Sequence, residues 1–129
     1  MIQNDYGIQQ QGVGNPDATW YGINQYLFYK INCCWTAGVR MEWFRDQNGT
    51  RVAPVGDITP SGISNNPASA GGFAGSFYEV TAGLNYIPGP NVVIRPEVRV
   101  DWFDGVGDPF DDGTRTDQVT VACDFVFRY

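Results

Sequence analysis

The chain has 129 residues, 14 acidic against 8 basic side chains for a net charge of −6, and no histidine. That length is enough for one domain and not for two. The acidic balance argues against nucleic acid as a partner, because a phosphate-tracking surface needs clustered Lys and Arg. Without imidazole, Ser-His-Asp, Cys-His and His-based metal sites are all excluded.

The three cysteines, Cys33, Cys34 and Cys123, lack a zinc-ligand spacing, and the adjacent pair reads as two free thiols in a turn with a strained vicinal disulfide as the alternative. No catalytic set, metal site or cofactor is expected. No apolar run approaches the length of a membrane helix. That says nothing of membrane strands, whose alternation averages away in a hydropathy window.

In chain order, "MIQNDYG" shows no basic region followed by an apolar core, so no signal peptide is expected in it. "IQNDYG" reads as the end of a strand. Five segments then alternate apolar and polar with period two: 20–31, 34–44, 77–86, 92–102 and 118–129. Gly, Pro and Asn clusters fall between them, and no segment sustains a helical period.

In the first segment Tyr21, Ile23, Gln25, Leu27, Tyr29 and Ile31 share a face, and Lys30 lies opposite. "WTAGVRMEW" puts Trp35, Ala37, Val39, Met41 and Trp43 on one face with Arg40 and Glu42 on the other. The third segment opposes Tyr78, Val80, Ala82, Leu84 and Tyr86 to Glu79. In the fourth, Val92, Ile94, Pro96, Val98, Val100 and Trp102 oppose Arg95, Glu97, Arg99 and Asp101. The last opposes Val119, Val121, Cys123, Phe125, Phe127 and Tyr129 to Asp124 and Arg128. No charge falls on the apolar face, and Gln25 is its one amide.

A soluble β-sandwich would show the same segregation. Three features favour a membrane barrel. Tyr21/Tyr29, Trp35/Trp43 and Tyr78/Tyr86 are pairs eight residues apart, or roughly 26 Å along a strand. With barrel tilt that becomes about 20 Å along the membrane normal, close to the apolar band between aromatic girdles. Short and long connections alternate, as periplasmic turns and extracellular loops do. The closing "DFVFRY" carries alternating aromatics to the last residue. The aromatics Tyr21, Tyr29, Trp35, Trp43, Tyr78, Tyr86, Trp102, Phe127 and Tyr129 are therefore expected at the two lipid interfaces.

The phrases "TWYGINQYLFYKINCCWTAGVRMEWFRDQNGTRV", "GGFAGSFYEVTAGLNYIPGPNVVIRPEVRVDWFDG" and "DFVFRY" resemble the C-terminal part of the OmpL-like outer-membrane β-barrel porin family, over about residues 6–129. The resemblance implies a Gram-negative type outer membrane and a pore role. Single-chain bacterial barrels begin at about 8 strands. Five or six cannot close, so the chain reads as the C-terminal fragment of a larger product.

A hairpin centred on Gly89 would set Glu79 opposite Arg99 and Phe77 opposite Asp101. With Lys30, Arg40, Glu42, Arg95, Glu97, Asp124 and Arg128 these charges would line the pore. An acid–base role for Glu79 and Glu97 is weak, because neighbouring arginines keep both ionised. Asp104, Asp108, Asp111, Asp112 and Asp117 lack a calcium-loop spacing and read as a solvated loop. "NGT" at Asn48 reads as a turn, and Pro96 predicts a bulge or local irregularity on the lipid face.

The expected architecture is all-β: an antiparallel up-and-down transmembrane β-barrel meander of five to six strands, a partial barrel. Its expected role is passive diffusion of small polar solutes or ions, without enzymatic activity. Outer-membrane lipid and the remaining strands of a larger barrel, or further copies of the chain, are its expected partners, with the C-terminus periplasmic. The rivals are a non-porin surface barrel acting as anchor or adhesin, and a soluble sandwich binding module. A hydrolase is disfavoured by the missing histidine.

Overall fold

A computed structural model describes residues 1–10, 17–52, 58–59, 62–63, 72–111 and 113–129. All regular structure in them is β. The strands are β1 (Ile2–Gln9), β2 (Ala18–Lys30), β3 (Trp35–Asp46), the two-residue β4 (Ile58–Thr59) and β5 (Gly62–Ile63), β6 (Gly75–Gly89), β7 (Val92–Gly105) and β8 (Asp117–Phe127). Six of them form one antiparallel sheet in the order β1-β2-β3-β6-β7-β8, and β4 pairs only with β5. Sheet order follows chain order, so this is an up-and-down meander. Its edges, β1 and β8, do not pair with each other.

The predicted strands are all present. β3, β6 and β7 run two to three residues further toward the long loops than the alternation suggested, because cross-strand pairing continues through Asp46↔Gly75 and Gly75↔Gly105. "IQNDYG" belongs to a full eight-residue strand, β1, paired to β2 from Ile2↔Gln25 to Gln9↔Ala18. That pairing brings Asn4, opposite Ile23, onto the apolar face as a second amide near Gln25.

Local chemistry sets the short turns. The Asn32 side-chain oxygen accepts the amides of Cys34 at 2.9 Å and Trp35 at 3.0 Å, closing the chain from β2 into β3. Cys33 and Cys34 are free thiols with their sulfurs 3.2 Å apart. Between β6 and β7 the turn falls on Pro90 and Asn91, with Gly89 opposite Val92.

One expectation is corrected. The β6–β7 register is displaced by two residues from a hairpin centred on Gly89: Glu79 lies opposite Asp101, Thr81 opposite Arg99 and Phe77 opposite Phe103. The cause is the later turn together with an irregularity between Tyr86 and Gly89. At Pro96 the ladder toward β6 is locally irregular, with no pairs at Arg95 and Pro96, while toward β8 Pro96 pairs in register with Cys123.

The faces follow the alternation, and among the described residues no second layer covers the apolar one. Among the described residues only Ala18 and Phe103 are buried apolar side chains. On the apolar face Leu27 is 67%, Val98 41%, Val121 79% and Phe125 60% exposed. A sandwich would cover that row, since burial of such side chains is its main stabilisation. The buried polar residues Asp46, Glu79 and Asp101 are instead on the charged face.

At the end where the long loops emerge, Asp46 anchors the chain leaving β3. Fully buried, its carboxylate accepts the amides of Asn48, Thr50, Arg51 and Val52 at 2.6–3.4 Å. Gly49 adopts φ 66° within this turn, and a Cβ there would come within 2.6 Å of the Gly72 carbonyl. Arg51 then lies over the Trp20 ring, 3.9 Å from its centroid. Asp46→Ala removes the shared acceptor, at a cost of about 1–3 kcal/mol for the buried donors left unmade. Trypsin cleavage after Arg51 in the refolded protein is expected to accelerate by roughly tenfold; an unchanged rate would refute the anchoring role.

Candidate functional site

In-register antiparallel pairing stacks same-face residues of neighbouring strands into rows across the sheet, about 7 Å apart along each strand. On the polar face, one row runs Gln3, Asn24, Glu42, Glu79, Asp101, Gln118 across all six strands. The next row toward the short turns is Tyr26, Arg40, Thr81, Arg99, Thr120. Acidic and basic side chains therefore sit in adjacent rows and meet on the diagonal.

Glu79 is the hub. Its carboxylate accepts Arg40 Nε at 2.8 Å and Arg40 Nη2, and it lies 3.2 Å from Arg99 Nη1. Arg99 also grips Asp101, with Nε at 2.9 Å from both oxygens and Nη2 at 2.6 Å. Thr81 Oγ1 donates to Glu79 at 2.6 Å, and Gln118 Nε2 to Asp101 at 3.2 Å. The predicted Glu79–Arg99 ion pair thus forms, on one face, through a diagonal rather than a direct opposition. With Glu79 held by two guanidinium groups, a general acid–base role finds no support in its surroundings. Glu42, the third carboxylate of the row, is half-buried and has no basic partner among the described residues.

The other charges predicted for this face lie apart. Arg95 pairs with Asp124 at 2.7 Å near the short-turn end. Glu97 faces Gly83 and Ala122, Lys30 faces Thr36, and Arg128 lies past the end of β8, its amide bound to the Asn91 carbonyl. Gly38 faces Gly83, so below Arg40 and Thr81 these two strands carry no side chain, and the Phe28 ring lies against Gly38 and Glu97 beside Gly83. A recess of about 450 Å³ opens there between Tyr26, Phe28, Arg95 and Glu97.

Sorting by charge places Phe77 on this face and misses the row it forms with Phe44 and Phe103. Above the acidic row, toward the long loops, Phe44, Phe77 and Phe103 are consecutive partners on the polar face. Their centroids are 6.4 Å and 4.5 Å apart, and Phe73 adds an edge contact to Phe103 at 6.1 Å. The signal was available in the sequence: all three fall on charged-face positions of their strands. From the β7–β8 loop, Pro109 and Phe110 close over this row, leaving a space of about 240 Å³ beside Glu42.

Of the aspartates expected in a solvated loop, Asp104 lies within β7 and Asp117 opens β8, where it pairs with Arg115 at 3.0 Å, while Asp111 accepts the Thr114 hydroxyl. Asp112 lies outside the described residues. Asn48 acts as a turn residue, its side chain accepting the Thr19 amide at 3.1 Å.

On the apolar face the aromatics gather at two levels. Toward the long loops Tyr21 meets Trp43 edge-on at 5.5 Å, Trp43 is the strand partner of Tyr78, and Tyr78 stacks on Trp102 at 5.3 Å. Toward the short turns Trp35 stacks on Tyr86 at 4.2 Å. Tyr29 and Phe127 stand near that level without a ring partner and are exposed, and Tyr129 lies past the end of β8. Between the levels, Leu27, Val39, Ala82, Val98 and Val121 form an uninterrupted apolar row.

A family model described as "putative beta-barrel porin-2, OmpL-like" matches residues 1–129, the whole chain. No curated protein and no solved structure matches it.

Because Glu79 neutralises two arginines, Glu79→Gln weakens both contacts and leaves a like-charged pair across Thr81. The unfolding free energy in urea is expected to fall by about 1–3 kcal/mol, and an unchanged midpoint would contradict the hub assignment.

Proposed function

The chain belongs to the OmpL-like β-barrel porin-2 family, and from that premise we propose that it forms part of the wall of an outer-membrane channel for passive diffusion of small polar solutes or ions. The observation that carries this reading is the pair of opposite faces on a single sheet. One is apolar, uncovered and bounded by aromatic rows; between those rows the ion pairs lie on the other. On this reading the apolar face meets acyl chains and the charged face meets the aqueous bore.

Tyr21, Trp43, Tyr78 and Trp102 then sit at one headgroup level, with Tyr29, Trp35, Tyr86, Phe127 and Tyr129 at the other. The short turns and the C-terminus face the periplasm and the long loops face outward, following the loop-length asymmetry of such barrels. β1 and β8 each leave a row of backbone groups unpaired, which hydrocarbon does not tolerate. Strands of a longer chain or of further copies complete the wall. The role is passage without catalysis, in keeping with a chain that has no histidine.

A second reading has one observation in its favour. Pro109 and Phe110 fold over the charged face, as they would in a barrel closed to solutes that serves as a surface anchor. Planar-bilayer recordings of the full-length protein separate the two: discrete openings are expected, and a protein that inserts but never conducts is the anchor.

Lipid contact itself is tested by placing a charge on either face. Val98→Arg, midway between the aromatic levels, is expected to cost about 2–4 kcal/mol in vesicle-embedded protein. Ala122→Arg, on the other face opposite Glu97, is expected to stay within about 0.5 kcal/mol. Equal costs would overturn the partition of faces.

A further inference from the structure

We infer that the space between the phenylalanine row and Glu42 is a binding site for organic cations that carry a small apolar or aromatic body. The inference rests on the channel reading above and names a solute class for it.

Three independent features converge on this space. The first is an unneutralised carboxylate. Arg40 and Arg99 supply two positive charges to this level of the wall, and both are engaged by Glu79 and Asp101. Glu42 lies in the same row and has no basic partner among the described residues. A half-buried carboxylate in that position gains most from a mobile cation, because partial desolvation strengthens the attraction.

The second is the character of the walls. Phe44 and Phe77 stand one row above Glu42 on the same face, and Phe110 approaches from the β7–β8 loop. Aromatic faces carry negative electrostatic potential, so they attract a cation and accept an apolar body, while they repel an anion. Arg99 also lines the space, but Glu79 and Asp101 line it too and engage its guanidinium, so Glu42 and the rings are left to select the same sign of charge.

The third is size and enclosure. The space holds about 240 Å³, below the roughly 300 Å³ at which sites for drug-sized ligands begin. A single ring or a few alkyl groups around one ammonium fit it; a disaccharide does not. Its loop side is fixed rather than open. The Phe110 carbonyl accepts the amides of Gly113, Thr114 and Arg115 at 3.1–3.2 Å, and Asp111 takes φ 52° in the same turn. This turn holds Phe110 toward the strands.

Phenyltrimethylammonium is the probe, and benzenesulfonate is the anion of similar outline. Isothermal titration into the refolded full-length protein in a zwitterionic detergent should show saturable binding of the cation and none of the sulfonate. Glu42→Gln and Phe77→Leu should each weaken that binding about tenfold, or about 1.4 kcal/mol. Glu42→Gln removes a charge beside Glu79 and is expected to fold; Phe44→Leu gives a second ring deletion if Phe77→Leu does not refold. Equal uptake of both probes, or affinity unchanged in Glu42→Gln, overturns the site.

Recordings on the same preparation keep the two readings distinct. Openings without cation binding defeat the site and leave the channel. Binding without openings supports the site in a closed barrel and defeats the channel.

Discussion

Antiparallel pairing that keeps one register from the long-loop end to the level of Gly83 organises this sheet. Once strands exchange hydrogen bonds residue for residue, a period of two along each strand becomes a set of rows across all of them. Every feature of the faces follows from that constraint. Acids meet acids along a row and arginines on the diagonal, phenylalanines line up above them, and aliphatic side chains on the reverse form an unbroken band. A slip of one residue in any strand would exchange the two faces there and put charge into the apolar band. Keeping both faces pure is a stronger demand than the local propensity of any strand.

Within the polar face the rows divide the work. Glu79 and Asp101 with Arg40 and Arg99 form a closed set of ion pairs that holds three neighbouring strands through side chains as well as backbone. Such a set contributes order more than stability, since its partly solvent-facing guanidinium groups gain little from pairing alone. Glu42 stands outside it. Functional potential on this wall concentrates where pairing is incomplete and a neighbouring surface is apolar.

The strands and their faces were legible in the sequence because both are written in local alternation, which needs no knowledge of the partner strand. Register was less legible. It depends on where a turn falls, and "IPGPN" contains two glycine–proline junctions that fit more than one hairpin; the structure turns at Pro90 and Asn91 and absorbs a residue beyond Tyr86. The ion pair between Glu79 and Arg99 survived that error because the long arginine reaches a diagonal neighbour as readily as a direct one. Phe77 is legible on the polar face, but its neighbours Phe44 and Phe103 are not, because charge marks that face and a ring carries no such mark. The Asp46 anchor lies where the strand pattern stops, and a carboxylate that gathers amides two to six residues onward leaves no periodic trace.

The glycines Gly38 and Gly83 bear on how a solute would travel in the proposed channel. On their two strands Arg40 and Thr81 stand directly above them, and at the glycines themselves only the neighbouring Phe28 ring and Glu97 side chain flank the main chain. In that channel a solute would pass the phenylalanine row and then the recess of about 450 Å³ beside these glycines, a gatehouse followed by an antechamber.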